Sequence, residues 1–301
     1  MNRIKDLLFG IQNNVDFIAC SFVSCKQDII DIRNFLNENG SYDIDLIAKI
    51  ENRAGVDNIE EILDVSNGIL IGRGDMGVEI PFEELPSIQK HLIQTCRMLG
   101  KRVITATEML ESMIYNPRPT RAEISDVANA VYDGTSAIML SGETAVGKYP
   151  VESVATMSKI ALETEKNIDY KKRLIKTDFK IKNNIDAISH STCVVANEIN
   201  AKLIVVCTRT GATARMVSRF RPYMNILGMT TNERVWRKLS LSWGVIPTLS
   251  EEFTSTDVLF YHAKRAAKNT GLVKVGDNIV ITAGSLEGGA SNTNLIKVEQ
   301  I

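Results

Sequence analysis

Leu46-Ile47-Ala48-Lys49-Ile50-Glu51 and Ile69-Leu70-Ile71-Gly72-Arg73-Gly74-Asp75 are two apolar runs that each end in charge. In a strand, side chains alternate in direction, so positions 49 and 51 project to one face. Asp75 is expected to close a neighbouring strand of the same polarity, bringing one cation and two carboxylates to one rim. Mg²⁺ takes one or two carboxylates and completes its octahedron with water and substrate oxygens. These residue types therefore suit a magnesium-bound phosphoryl group, and the chemistry they suggest is phosphoryl transfer.

The same form recurs outward from this pair, in apolar runs at 17–22, 46–51, 68–71, 103–107 and 137–140. Near-continuous apolar character marks strands covered on both faces, and the helically spaced segments between them mark βα units. Each run is followed by polar residues: Ser21, Lys49 with Glu51, Asp75, Thr107, and Ser141 with Glu143. Polar groups gathered at strand C-termini are the arrangement of a barrel's working face. The expected fold class is α/β, a partial (β/α)8 TIM barrel of five βα units over 1–165. Thr120-Arg121-Ala122-Glu123 fits a capping box opening a helix over 121–132, and the stripe after Pro150 continues a helix to about 165.

A charged stretch at 166–183 reads as a linker, and a smaller α/β C-terminal domain is expected over 184–301. Its predicted strands are 203–207, 226–229, 245–249 and 279–282, with a further run at 295–298. Helices are predicted near 185–200, from 211, from 232 and over about 255–270.

With 301 residues, 44% of them hydrophobic, the chain has ample material for two cores. Its 35 basic and 36 acidic side chains, with no dense Lys/Arg run, argue against nucleic acid or an anionic membrane as the main partner. Five cysteines, odd in number and without a C-x-x-C pair, read as buried thiols of a reducing cytosol. No apolar stretch reaches membrane-spanning length and the start lacks a signal-peptide core, so a soluble cytoplasmic protein is expected.

Each candidate motif has a plainer alternative. Gly72-Arg73-Gly74-Asp75-Met76-Gly77 matches G-x-G-x-x-G, but a dinucleotide fingerprint should open a helix at once, and Val78-Glu79-Ile80-Pro81 argues that it does not. The glycines are instead expected to leave the Gly74 and Asp75 amides bare, as a nest for an anion. Gly142 to Lys148 nearly forms a P-loop, with Tyr149 where a hydroxyl belongs and Pro150 next, so Ser141 and Thr144 read otherwise as local loop hydrogen bonding. Lys49 and Glu51 alone could be a structural ion pair, but together with Asp75, Thr107 and Ser141 they would be costly to bury without a ligand. His91, His190 and His262 lie in helical segments without a plausible nucleophile, which argues against triad hydrolysis. In the second domain, Thr208-Arg209-Thr210-Gly211-Ala212-Thr213 before a helix suits an anion, with the glycine-rich stretch 284–292 placed to close over it. Ordinary capping by Thr208 or Thr210 explains part of that pattern.

Lys49-Ile50-Glu51-Asn52, Gly72-Arg73-Gly74-Asp75, Gly77-Val78-Glu79-Ile80-Pro81, Ala106-Thr107-Glu108-Met109-Leu110, Asn116-Pro117-Arg118-Pro119-Thr120-Arg121-Ala122-Glu123 and Ile138-Met139-Leu140-Ser141-Gly142-Glu143-Thr144 occur in that order along the chain. With these the chain closely resembles the pyruvate kinase family along essentially its whole length. The resemblance implies phosphoryl transfer from phosphoenolpyruvate to ADP, giving pyruvate and ATP. It implies that Lys49 balances charge on the moving group while Glu51 and Asp75 hold Mg²⁺ or Mn²⁺. The Gly74 and Asp75 amides and the Thr107 hydroxyl would bind the substrate carboxylate, Phe22 would line the pocket, and Ser141 would serve enolate protonation. Residues 208–213 would take a phosphorylated effector, and the helix near Arg121 and helices of the second domain would be faces of a homotetramer.

Ser24-Cys25 and Glu108 depart from the family's usual basic residues and Gln. The resemblance covers barrel strands four to eight and the C-terminal domain, and the family's K⁺ ligands, phosphate-binding arginine and most ADP contacts are expected upstream of this chain. Five strands leave two open sheet edges, so a truncated product or half of a split enzyme, weakly active or inactive alone, is the expectation. The alternative is a catalytically dead fragment retaining an effector-binding or assembly module. Another phosphoenolpyruvate-using barrel enzyme would explain the carboxylates and lysine but not the second domain.

Overall fold

The computed structural model describes residues 2–176, 179–253, 255–284 and 293–301. The chain divides into two compact units, Met1–Ile168 and Asp169–Ile301.

In the first unit, β1 (Phe17–Cys20), β2 (Asp45–Ile50), β3 (Gly68–Gly72), β4 (Arg102–Ala106) and β5 (Ala137–Met139) form one parallel sheet in chain order. The central strands β2, β3 and β4 are buried on both faces, as expected of such strands, whereas β1 and β5 at the sheet's edges are largely only partly buried. Leu46, Ala48, Ile50, Ile69, Ile71 and Val103 pack with Ile29, Leu36, Ile62, Leu63, Leu92 and Ile93 from helices Lys26–Glu38, Ile59–Val65 and Leu85–Leu99. The intervening residues Ile47, Leu70 and Ala106 form a separate apolar face with Phe17, Ile104 and Met139. Because all five strands run the same way, their C-terminal ends share one edge, and the candidate residues stand there.

Thr120 and Glu123 make the expected reciprocal cap of helix Arg121–Asp133, which stops where Gly134 turns left-handed at φ 92°. Helix Pro150–Lys166 follows β5 and its loop, with the proline in its first turn. One expectation fails at β3: the strand ends at Gly72 and helix Arg73–Glu79 begins at once, so Asp75 stands in a helix and does not close a strand. The glycine-rich polar segment cannot extend a buried strand, whereas an acid in the first turn suits the helix dipole. Pro81 then halts the helix, with Ile80 already extended.

The stretch expected to be a linker carries helix Tyr170–Lys176, whose Leu174 is buried in the second unit's core, with Phe179 packed against it. That unit contains β6 (Leu203–Cys207), β7 (Asn225–Thr230), β8 (Val245–Leu249), β9 (Asn278–Gly284) and β10 (Thr293–Gln300), in the spatial order β10-β9-β6-β7-β8. Only β10 is antiparallel. Alternation splits central β6 between two cores. Ile204 and Val206 join Ala196, Ala214 and Leu239 on one side, and Leu203 and Val205 join Ala263 and Ala267 on the other.

None of the five cysteines is in a disulfide; Cys20, Cys96 and Cys193 are buried as expected, but Cys25 and Cys207 are only partly so. Cys25 departs from the expectation because it precedes helix Lys26–Glu38 as its cap rather than lying in a strand. Among the described residues, no helix is long and apolar enough to cross a membrane.

Candidate functional site

Lys49 and Glu51 meet at the C-terminal end of β2. The Lys49 Nζ stands 2.6 Å from Glu51 Oε1, with the carboxylate side chain 1% and the lysine 25% exposed. Nζ also donates to Ser21 Oγ at 3.3 Å. Glu51 Oε2 accepts the Phe22 N–H at 2.8 Å. To offer that amide, Phe22 adopts a left-handed backbone, φ 54°, and its side chain stands 59% exposed. Glu51 rests against Gly72, where a Cβ would lie 2.8 Å from Glu51 Cγ. Oε1 faces the ammonium but lacks a directed hydrogen bond. A buried carboxylate whose charge is balanced by a neighbouring ammonium is a suitable hard ligand for a divalent cation.

Gly72 also starts the helix that carries Asp75, so Glu51 lies against the base of that helix and Asp75 in its first turn. The Asp75 side chain is exposed and makes no hydrogen bond or ion pair among the described residues. The Asp75 amide is among the first-turn N–H groups that have no intrahelical acceptor. The Gly74 amide is not bare, contrary to the sequence reading: it donates to Thr107 Oγ1 at 2.9 Å, while Oγ1 donates to the Ala106 carbonyl at 2.6 Å. The ground for setting aside a dinucleotide fingerprint also changes, since a helix does open directly after β3. That helix runs only seven residues.

Thr107 and Glu108, just beyond β4, are both left-handed, at φ 65° and 53°. Beyond β5, Ser141 precedes the short helix Gly142–Ala145, and no hydrogen bond engages its hydroxyl among the described residues. Buried Glu143 holds this loop to the β4 loop, accepting the N–H groups of Ser141 at 2.8 Å and Leu110 at 2.9 Å. The near-P-loop is no phosphate cradle. Its amides from Thr144 to Gly147 donate to Ser141 and Gly142 carbonyls, and Lys148 donates to the Ile114 carbonyl.

The structure thus brings Lys49 to Glu51 and Gly74 to Thr107, with Asp75 on the intervening helix and Ser141 on the loop after β5. Among the described residues there is no group of three or more His, Cys, Asp or Glu placed to hold a metal. Glu51 and Asp75 are the acids here that could hold a cation, whose other ligands would be water or substrate.

Sequence reasoning missed Arg73. Its guanidinium reaches the carbonyls of Ala106, Thr107 and Glu108, and pairs with Asp126 at 2.7 Å. Those partners lie 33 to 53 residues away, so no local pattern could reveal them.

In the second unit, connections from β6 run through β7 to β8 and then cross back to β9 on β6's other side. The loop after β6 therefore lies at a switch in strand order, where open α/β sheets form crevices. Thr208 Oγ1 accepts the Gly211 N–H at 3.0 Å and Thr210 Oγ1 the Ala212 N–H at 3.4 Å, but the following helix's N-cap is Gly211, which has no side-chain cap. Gly211 is left-handed at φ 77°, and Thr213 Oγ1 lies 2.5 Å from Thr293 Oγ1. Exposed Arg209 makes no hydrogen bond or ion pair among the described residues. Most of the glycine-rich stretch expected to close over this loop, 285–292, lies outside the described residues.

Two family models match the chain: the pyruvate kinase barrel domain over residues 2–154 and the pyruvate kinase alpha/beta domain over residues 186–299. Pyruvate kinase of Clostridium acetobutylicum is 49% identical over 298 residues, which are 99% of this chain and 63% of that protein. The Bacillus licheniformis pyruvate kinase is 52% identical over 295 residues, 98% of this chain and 50% of the relative. That of Clostridium perfringens is 46% identical over 300 residues, 99% of this chain and 63% of the relative. The chain thus spans between half and just under two thirds of the length of these relatives.

Proposed function

This chain belongs to the pyruvate kinase family, and from that membership we propose that its first unit serves phosphoryl transfer from phosphoenolpyruvate to ADP, yielding pyruvate and ATP. The observation that carries the reading is the nearly fully buried Glu51 carboxylate, ion-paired at 2.6 Å to a Lys49 ammonium that still reaches solvent.

Phosphoryl transfer is catalysed mainly by positioning and electrostatics. Lys49, steadied by Ser21 and Glu51, meets the charge of the moving phosphoryl group. Glu51 and Asp75 hold Mg²⁺ or Mn²⁺, which when bound neutralises charge on the substrate oxygens. The substrate carboxylate docks at the Asp75 amide and the Thr107 hydroxyl, and the Gly74 N–H exchanges its bond to Thr107 for one to the substrate. The Phe22 ring walls the pocket, and the Ser141 hydroxyl supplies the proton path to the enolate carbon. A soluble cytoplasmic homo-oligomer, joined through helix Arg121–Asp133 and helices of the second unit, belongs to the same reading.

The test is ATP formation by the 301-residue chain from phosphoenolpyruvate and magnesium ADP, monitored by phosphorus NMR. ATP that appears with the native chain and not with Lys49→Met supports the reading; equal yields from both would overturn it.

A second reading, an effector-binding or assembly module, is favoured by the position of residues 208–213 at the switch in strand order. Phosphate groups would be taken by Thr208, Arg209, Thr210 and the amides from Gly211 to Thr213. Calorimetry with phosphosugars and nucleotides tests it: tight binding without ATP formation, lost in Arg209→Ala, favours this module.

A further inference from the structure

We infer that Arg73 is a positioning residue that holds the tip after β4 in the left-handed form in which it meets substrate; this rests on the proposed phosphoryl transfer. Thr107 and Glu108 are consecutive left-handed residues at φ 65° and 53°. That conformation is unfavourable for side chains with a Cβ, and more so for a β-branched threonine. Backbone of this kind persists only where its surroundings over-determine it.

Arg73 supplies that restraint. Its side chain is 11% exposed. Nε donates to the carbonyls of Ala106 at 3.3 Å and Thr107 at 3.1 Å, and the second amino group to those of Thr107 at 2.6 Å and Glu108 at 3.1 Å. The remaining amino group is fixed from behind by Asp126 at 2.8 Å and Gln89 at 3.3 Å. A rigid planar fork can grip three successive carbonyls and a carboxylate together, whereas an ammonium with three donors on one atom cannot. The residue after Arg73 is Gly74, whose N–H donates to Thr107 Oγ1. One guanidinium therefore sets both walls of the proposed carboxylate cradle, the start of the helix after β3 and the tip after β4.

A plain stabilising ion pair with Asp126 would require only charge. The experiment compares Arg73→Lys, Arg73→Gln, Asp126→Asn and the double variant Arg73→Gln/Glu108→Gly in the full chain. Amide hydrogen exchange is read over 104–110 against 203–207, and calorimetry measures affinity for Mg²⁺ alone and for oxalate, a planar dianion shaped like the enolate, with Mg²⁺ present.

For both single Arg73 variants, exchange over 104–110 should rise about tenfold while 203–207 is unchanged. Their oxalate affinity should fall about tenfold, with Mg²⁺ alone held to within about twofold. Asp126→Asn, which keeps the arginine and its carbonyl bonds, should change oxalate affinity by less than about threefold. Glycine adopts the left-handed form freely, so the double variant should recover part of the lost protection. Unchanged exchange, a native-like Arg73→Lys, or equal losses for Mg²⁺ and oxalate would overturn the inference. Should the single Arg73 variants fail to fold, folding of the double variant supports it and continued failure overturns it. A native chain that takes no oxalate would sink the functional reading, while the exchange arm still decides the role of Arg73.

Discussion

Lys49 and Glu51 form an ion pair in which the carboxylate is buried and the ammonium still reaches solvent. The glutamate is held on two sides, by the Phe22 amide and by Lys49, while the lysine end remains available to an incoming anion. Lys49→Met would leave a buried carboxylate oxygen without compensation, at a cost of about 1–3 kcal/mol. The double variant Lys49→Met/Glu51→Gln should recover part of that loss, because the uncompensated charge is gone. Urea unfolding of the two variants and the native chain checks this, and a double variant no more stable than Lys49→Met would refute it.

Gly72 gives Glu51 its seat. A Cβ there would lie 2.8 Å from Glu51 Cγ and 3.0 Å from Oε1, and the carboxylate has no slack because Lys49 and Phe22 already hold it. Gly72→Ala should cost about 1–3 kcal/mol by overpacking and weaken divalent-cation binding as well. Thermal unfolding with and without Mg²⁺ measures both effects, and a variant with native stability and native Mg²⁺ response would show that the contact is compliant.

The Glu123 carboxyl ties Ser112, in the turn Glu111–Ile114 between β4 and its helix, to the helix N-cap Thr120. Burial alone would raise its pKa, but hydrogen bonds from the hydroxyls and amides of Ser112 and Thr120 hold it below the usual carboxylate range. A depressed folded pKa contributes stability that is present above the unfolded value of about 4.3 and lost as pH falls through the folded value. Glu123→Ala should therefore cost about 1 kcal/mol near pH 7 and lose less stability on acidification than the native chain. Urea midpoints at neutral pH and below the carboxylate range test this, and parallel acid losses in both proteins would contradict it.

The central strands β2, β3, β4 and β6 were legible because each is a short, nearly unbroken apolar run, and burial on both faces needs such runs. The cap at Thr120 was legible because its partner, Glu123, lies three residues on. Helix Arg73–Glu79 was not, since its polar, glycine-containing residues carry only Met76 as a buried position. Charge likewise hid helix Tyr170–Lys176, where Leu174 is buried in the core among charged neighbours. At the candidate site, strand alternation forecast the meeting of Lys49 and Glu51. The left-handed Thr107 and Glu108 and the Arg73 grip depend on contacts between distant segments and had no local signal.

The most direct measurement is Mn²⁺ titration monitored by electron paramagnetic resonance, with and without oxalate, on the native chain, Glu51→Gln and Asp75→Asn. The account predicts one saturable Mn²⁺ site in the native chain, tightened by oxalate and weakened about tenfold or more by either substitution. A site indifferent to both substitutions, or no saturable site in the presence of oxalate, would contradict it.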